Sequence, residues 1–177
     1  VILSAILMLI ISVGALGFFV YVQFVEEVPA PGGTYTEGLI GSPLYVNPIL
    51  ASTNDVDLDL TKLIYSGLLR YDKNLEIEND LAEEFSISED GKIYTVKIKS
   101  DVRWHDGEPL TVNDILFTYR RIQDPAVNSP LQFALQDVTI SKVDDQTIRF
   151  ELEEPFSPFK SILTTGIIPE HLWTPIP

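Results

Sequence analysis

Apolar residues dominate the first 25 positions of the chain, where Ser4, Ser12 and Gln23 are the clearly polar side chains and no side chain is charged. The run Val1–Val25 is long enough for the roughly 20 residues of a membrane-spanning helix, whereas a secretory h-region needs only about 7–15. It has no polar face that a helix of a soluble domain would turn to solvent. The pattern predicts one transmembrane helix over residues 1–25. It is either an uncleaved anchor or a removed signal, and the poor cleavage pattern at Val28-Pro29-Ala30 favours the anchor.

Proline and glycine separate this run from the rest of the chain. Residues 26–33 contain Pro29, Pro31, Gly32 and Gly33, which predict a short non-helical linker. Its acidic residues and its lack of lysine are compatible with the outer side of a membrane under the positive-inside rule. Residues 34–177 form the third segment, which we expect to be one folded domain.

Short segments of alternating apolar and polar residues dominate the third segment. Residues 34–40 alternate weakly and predict an edge strand. Three pairs of segments flank short polar turns and predict antiparallel hairpins. These pairs are Leu68–Tyr71 with Leu75–Ile77, Phe85–Ser88 with Ile93–Lys99, and Val138–Val143 with Thr147–Leu152.

Helical spacing accounts for much of the remaining chain. A first helix is predicted after the N-cap candidate Asn54 and ends near Gly67. A second is predicted from Thr111, which has capping-box spacing to Asp114, although the box prefers Glu or Gln there. A short apolar helix is predicted over Phe159–Leu163. Helices and hairpins together predict an α+β domain around one core. The apolar positions at helical spacing are Leu60, Leu63, Ile64 and Leu68 in the first helix and Val112, Ile115, Leu116, Tyr119 and Ile122 in the second.

The charge of the chain narrows its range of partners. The formal net charge is -14, from 12 basic and 26 acidic residues. Nucleic acids and anionic lipid surfaces both attract proteins through concentrated Lys and Arg, so neither is expected as a partner. The chain has no cysteine, which excludes disulfides, thiol catalysis and anchoring through a lipid-modified cysteine.

No complete motif for catalysis or metal binding occurs in the chain. Asp55–Asp59 resembles the start of a calcium-binding loop, but Leu60 and Ser66 stand where that loop needs Gly and Glu. The two histidines, His105 and His171, lie in turn-rich segments and do not predict a metal site. Neither a G-x-S-x-G nor a G-x-G-x-x-G motif is present. We therefore expect a protein that is not an enzyme and that needs no cofactor or metal.

One long stretch carries a family signature. In residues 90–122 a strand is followed by Trp104, by the turn Asp106–Thr111 and by a helix that carries Asp114. This order resembles the signature of the bacterial extracellular solute-binding proteins of family 5, the oligopeptide, dipeptide and nickel type, with Val112 in place of the usual alanine. Further collinear segments resemble the same family, namely Leu63–Asp72, Asp80–Glu83, Glu154–Pro155 and Ile168–His171.

The resemblance implies a two-lobed clamp of the periplasmic-binding-protein type. In such a clamp the ligand lies between the lobes, and closure presents the complex to an ABC transporter permease. Residues 34–177 would be the first lobe, and we expect the second lobe to be absent from this chain. The implied location is the extracytoplasmic face of the cell membrane, periplasmic or extracellular. An open alternative is a membrane-tethered single lobe that acts as a sensor or interaction module without a transport role.

The resemblance also indicates a ligand and a site. Family members commonly hold an oligopeptide or dipeptide by its main chain, while nickel chelates and sugars occur as ligands in the same family. By their position in the family, the ligand contacts would be Ser42, Pro43, Leu44 and Tyr45 after the first strand, and Leu131 after the long helix. Pro43 has no N–H to donate, so complete strand pairing with a peptide is not expected there.

Overall fold

The computed structural model describes residues 2–24, 32–34 and 36–174. The chain divides into two compact units, Val1–Gly38 and Leu39–Pro177. The first unit contains helix α1 (Ile2–Phe24), in agreement with the helix predicted from the apolar run. Among the described residues, however, no helix combines the length and the apolarity that crossing a membrane requires. The transmembrane assignment of residues 1–25 stays a prediction.

The predictions for residues 26–40 can be compared with the structure only in part. Most of the linker predicted at residues 26–33 lies outside the described residues, as does Tyr35. The edge strand predicted at residues 34–40 is wrong, because Thr34 and residues 36–40 contain no strand. Leu39 and Ile40 are both exposed, so this segment has no apolar face that a sheet would bury.

Two antiparallel sheets form the frame of the second unit, and the three predicted hairpins are present. The strands described are β1 (Leu69–Tyr71), β2 (Ile77–Asn79), β3 (Ala82–Ile87), β4 (Ile93–Ile98), β5 (Val138–Lys142) and β6 (Thr147–Leu152). β1 pairs with β2, and the larger sheet has the order β3-β4-β6-β5. Short polar turns close each hairpin, as the alternation predicted.

Helices complete the unit and confirm the α+β class. The longest of them in this unit is α3 (Val112–Gln123), which follows the β3–β4 hairpin. The other helices described here are α2 (Asp55–Ile64), α4 (Gln132–Leu135), α5 (Phe159–Ile162) and α6 (Glu170–Trp173), with 3-10 turns at Ala51–Thr53 and Pro125–Val127.

The core lies between α3 and one face of the four-stranded sheet. Every second residue of β4 and β6 is buried, and the register places Val96 opposite Ile148. The apolar stripe predicted for α3 meets this face, where the Tyr119 ring packs edge-on against Phe150 at 5.0 Å between centroids. Such a pair adds roughly 0.5–1.5 kcal/mol to the free energy gained from burial of the two rings.

The capping box predicted at the start of α3 is confirmed, with an additional role for its acidic residue. The Thr111 N–H donates to Asp114 Oδ2 at 2.8 Å. The other carboxylate oxygen, Oδ1, accepts the Glu170 N–H at 2.9 Å. Asp114 is buried, and it therefore joins the N-terminus of α3 to the N-terminus of α6. Both helix ends gain an acceptor for an otherwise unpaired N–H.

The first helix of this unit, α2, does not bury the face that carries Leu63 and Ile64. Leu63 is 81% exposed and Ile64 is 42% exposed, whereas Val56, Asp57 and Thr61 are buried. A buried carboxylate on the inner face of a helix is costly unless hydrogen bonds compensate it. The hydrogen-bond partners of Asp57 therefore explain which face of α2 is buried.

Candidate functional site

The buried Asp57 carboxylate holds the loop before α2. Oδ1 accepts the Leu44 N–H at 2.9 Å and the Val46 N–H at 3.3 Å, and Oδ2 accepts the Tyr45 N–H at 3.1 Å. Val46 has a left-handed backbone, with φ of 37°. That conformation is unfavourable for a β-branched residue, and the hydrogen bonds to Asp57 stabilise it.

Asn54 secures the same loop from the N-cap of α2. Its side-chain oxygen accepts the Val56 and Asp57 N–H groups at 2.9 and 3.3 Å. Its side-chain amide donates to the Ser42 carbonyl at 3.2 Å. The N-cap predicted from the sequence is therefore present, and it also binds the loop that holds four of the predicted ligand contacts.

Four of the predicted ligand contacts thus lie on a segment whose main chain is already bonded. The N–H groups of Leu44 and Tyr45 point to Asp57 and are not free to pair with a peptide strand. Ser42 and Pro43 are exposed, and the side chains of Leu44 and Tyr45 are 66% and 61% exposed. Contact with a ligand through these side chains remains a prediction.

The fifth predicted residue, Leu131, lies in a different setting. Ser129 is buried, and its hydroxyl donates to the Ile49 carbonyl at 2.6 Å across 80 positions of sequence. The same oxygen accepts the Leu131 N–H at 3.2 Å. The bond to Ile49 fastens the loop after α3 to the segment before α2, and the bond from Leu131 orders that loop.

Leu131 lines a cavity of about 240 Å³, which we call the Leu131 cavity. It is formed by the segment before α2, by α2 itself, by the loop after α3 and by the end of α5. Ser42, Pro43, Leu44 and Tyr45 do not line it. The lining residues are Pro48, Ser52, Leu58, Thr61, Lys62, Tyr65, Leu131, Ser161, Thr164, Thr165 and Gly166.

A glycine sets the width of the Leu131 cavity at one wall. A Cβ on Gly166 would stand 2.7 Å from the Tyr65 Cβ and 3.1 Å from the Pro48 Cβ. The first distance is shorter than carbon atoms tolerate and the second is unusually tight, so any larger residue would displace Tyr65 and press on Pro48. Tyr65 is half-buried, and burial raises the pKa of its phenol, which therefore remains a neutral donor at physiological pH.

A second cavity of about 540 Å³, which we call the Leu75 cavity, adjoins the first. Lys62, Tyr65 and Thr164 line both. Within the Leu75 cavity Arg70 is paired with Glu78 at 2.8 Å. Its remaining lining residues are Ser66, Gly67, Leu69, Tyr71, Leu75 and Asp80.

A histidine–carboxylate pair lies outside both cavities. His171 Nε2 is 2.7 Å from Asp106 Oδ2, which links α6 to the turn before α3. The Asp106 hydrogen bond raises the pKa of His171, and the same bond lowers the pKa of Asp106. Within residues 36–174 and the other described parts, no group of three or more His, Cys, Asp or Glu is placed to hold a metal ion.

The sequence did not indicate several residues of this site. Asp57 lies in the segment Asp55–Asp59 that was compared with a calcium-binding loop, and its long-range partners are visible only in the fold. Lys62, Tyr65 and Gly166 reach the cavity from separate elements. One local signal was available for Ser129, because it lies in the same short loop as Leu131.

Comparisons with known proteins place the chain among binding proteins. A family model described as "Bacterial extracellular solute-binding proteins, family 5 Middle" matches residues 76–172. The oligopeptide-binding protein AppA of Bacillus subtilis (strain 168) is 31% identical over 152 residues, which is 84% of this chain and 28% of AppA.

Solved structures agree with the sequence comparison. The structure of AppA from Bacillus subtilis in complex with a nonapeptide matches with a TM-score of 0.71 and 30% identity, over 78% of this chain and 28% of that one. NikZ from Campylobacter jejuni in complex with Ni(L-His) matches with a TM-score of 0.70 and 28% identity, over 76% of this chain and 27% of that one. The chain therefore spans about a quarter of the length of these relatives.

Proposed function

The chain belongs to the bacterial extracellular solute-binding proteins of family 5, and from that premise we propose that it is part of an extracytoplasmic peptide-binding component of an ABC importer. The described second unit would form one wall of the ligand site, and a second lobe would form the other. Closure of the lobes on the peptide would then present the complex to a permease.

One observation carries this proposal. The two loops that the family resemblance assigned to the ligand site, before α2 and after α3, are bonded to each other through Ser129 and Ile49. Beside that bond lies the Leu131 cavity, which has apolar, hydroxyl and lysine groups in its lining. A concave surface with a few convergent polar groups is the usual form of a small-ligand site.

The choice of a peptide rests on the relatives. AppA is named an oligopeptide-binding protein and was solved with a nonapeptide. NikZ, of comparable similarity, holds Ni(L-His). Peptide is favoured for this chain because the described residues present no cluster of metal-ligating side chains, whereas hydroxyl groups and apolar surface suit a peptide.

The test compares ligand classes on the full chain. Isothermal titration with a mixed tripeptide-to-pentapeptide set, with Ni(L-His) and with a disaccharide should give saturable binding for peptides alone. Leu131→Ala should weaken peptide binding roughly fivefold, as expected from the loss of about 1 kcal/mol of apolar contact. Val143→Ala, at an exposed position outside both cavities, is the matched control and should leave the affinity unchanged. Saturable binding of the nickel chelate or of the sugar, with no peptide bound, would refute the proposal.

A further inference from the structure

The Leu131 cavity has a charge balance opposite to that of the whole chain. The chain carries 26 acidic and 12 basic residues. Among the residues that line this cavity, none is a carboxylate and one, Lys62, is cationic. On such an acidic protein a cavity without carboxylates disfavours an anionic ligand group less than the surrounding surface does, and Lys62 supplies a positive charge at its edge.

Lys62 is available to a ligand. It lies in the last turn of α2, is exposed, and forms no ion pair within the described residues. The other cation near it, Arg70, is neutralised by Glu78, and Asp80 lines the same Leu75 cavity. Among the residues that the structure describes, Lys62 is therefore an unpaired cation where the two cavities adjoin.

Hydroxyl donors accompany this lysine. Ser52, Ser161 and Thr165 line the Leu131 cavity, and their hydroxyl groups have no hydrogen-bond partner among the described residues. Tyr65 adds a neutral phenol to the lining of both cavities. An ammonium group with several hydroxyl donors is a suitable environment for a carboxylate, because charge-assisted hydrogen bonds are about twice as strong as neutral ones.

We propose that Lys62 binds a carboxylate of the ligand, so that this end of the site selects peptides that present a free anionic group. The inference deepens the proposed peptide-binding function and rests on it. The carboxylate has two possible sources, the C-terminus of the peptide or the side chain of an acidic residue. The hydroxyl donors position the carboxylate, and Lys62 supplies the charge.

The experiment uses three forms of one pentapeptide on the full chain. One has a free C-terminal carboxylate, one a C-terminal amide, and one an amide together with a glutamate side chain. Titrations are made on the wild type, on Lys62→Gln, on Lys62→Arg and on Lys99→Gln. Lys99 is an exposed lysine after β4 that lines neither cavity, which makes it the matched control.

We expect Lys62→Gln to weaken roughly tenfold the binding of the peptide form whose carboxylate occupies the site, and to leave the plain amide form unchanged. Lys62→Arg should retain most of the affinity, and Lys99→Gln should behave as the wild type. Full affinity for the glutamate-bearing amide would assign the carboxylate to a side chain, and loss of affinity would assign it to the C-terminus. Unfolding midpoints of all variants should coincide, since Lys62 is exposed.

The experiment distinguishes failure of the carboxylate site from failure of the peptide-binding function. If Lys62→Gln leaves the affinity for all three peptides unchanged, the carboxylate site is refuted while peptide binding stands. If the wild type binds none of the three peptides, the peptide-binding function fails, and the carboxylate site fails with it.

Discussion

At the scale of single residues, Asp57 has a structural role that its position in the sequence does not reveal. It lies within the first turn of α2, where a carboxylate is favourable beside the helix N-terminus. Its oxygens are nonetheless used by the N–H groups of Leu44, Tyr45 and Val46. A first-turn acid is recognisable from sequence, but the loop that it binds depends on the path of the chain.

Asp57→Asn should release this loop. Asparagine has one acceptor oxygen instead of two and places an NH₂ group against N–H donors, so we expect a loss of about 2–3 kcal/mol in the free energy of unfolding. Amide hydrogen exchange at residues 44–46 should accelerate more than exchange in α3. Urea unfolding and exchange measured by NMR provide the two readouts.

Asp59→Asn is the control for this prediction. Asp59 lies on the same helix but is exposed, and its carboxylate has no hydrogen bond among the described residues. It should leave stability and exchange unchanged. Equal protection of residues 44–46 in Asp57→Asn and in the wild type would contradict the role given to Asp57.

At the scale of elements, the hairpins and helix α3 were predictable because their signals are local. Alternation, turn residues and a capping box are each contained within a few positions, and the structure confirms them. The face buried by α2 was not predictable, because the hydrogen bonds to Asp57 outweigh the apolar spacing of Leu63 and Ile64. The edge strand expected at residues 34–40 failed because its alternation was weak and its apolar residues remain exposed.

The contact between α6 and the turn before α3 gives a pH-dependent link between elements. The pKa of His171 is raised by Asp106, so its stabilising contribution is complete below the unfolded pKa of histidine and is lost as pH rises through the folded pKa. The pKa of Asp106 is lowered, so its contribution is present above the unfolded pKa of aspartate and is lost as pH falls through the folded pKa. The pair therefore stabilises the protein in the mildly acidic range between the two.

Asp106→Asn should remove that stabilisation. The pKa of His171, followed by NMR, should fall toward its ordinary value, although Asp114 and Glu108 still favour the charged ring. The difference in unfolding midpoint between wild type and variant should be largest in mildly acidic solution and should shrink at alkaline pH, where the bond from the Glu108 N–H to Asp106 remains. Asp101→Asn, at an exposed carboxylate without a described partner, is the control. A His171 pKa that does not move in Asp106→Asn would contradict the link.

At the scale of the whole molecule, family membership could be read from the sequence but the ligand site could not. The signature around Trp104, Asp106–Thr111 and Asp114 builds turns and caps, so it identifies the fold without touching the candidate cavity. Of the five predicted contacts, Leu131 lines that cavity, because Ser129 and Ile49 join loops that are 80 positions apart. A local sequence pattern does not predict a contact between residues so far apart in the chain.

We propose that the ligand binds at the Leu131 cavity. A peptide must therefore lie near the residues that the two loops and α5 bring together there. Another concavity of about 310 Å³, beside Phe133 and Phe156, offers a clear alternative location on the same unit. The two places are distinguished by which side chains come within a few ångströms of the bound peptide.

The most direct test is the measurement of intermolecular NOEs between the ¹³C-labelled full chain and an unlabelled pentapeptide. We expect NOEs from the peptide to Pro48, Leu131 and Thr165, and their loss in Gly166→Trp, whose side chain would displace Tyr65 and Pro48 and fill the cavity. NOEs confined to Phe133 and Phe156, with none to Leu131, would contradict the assignment of the site.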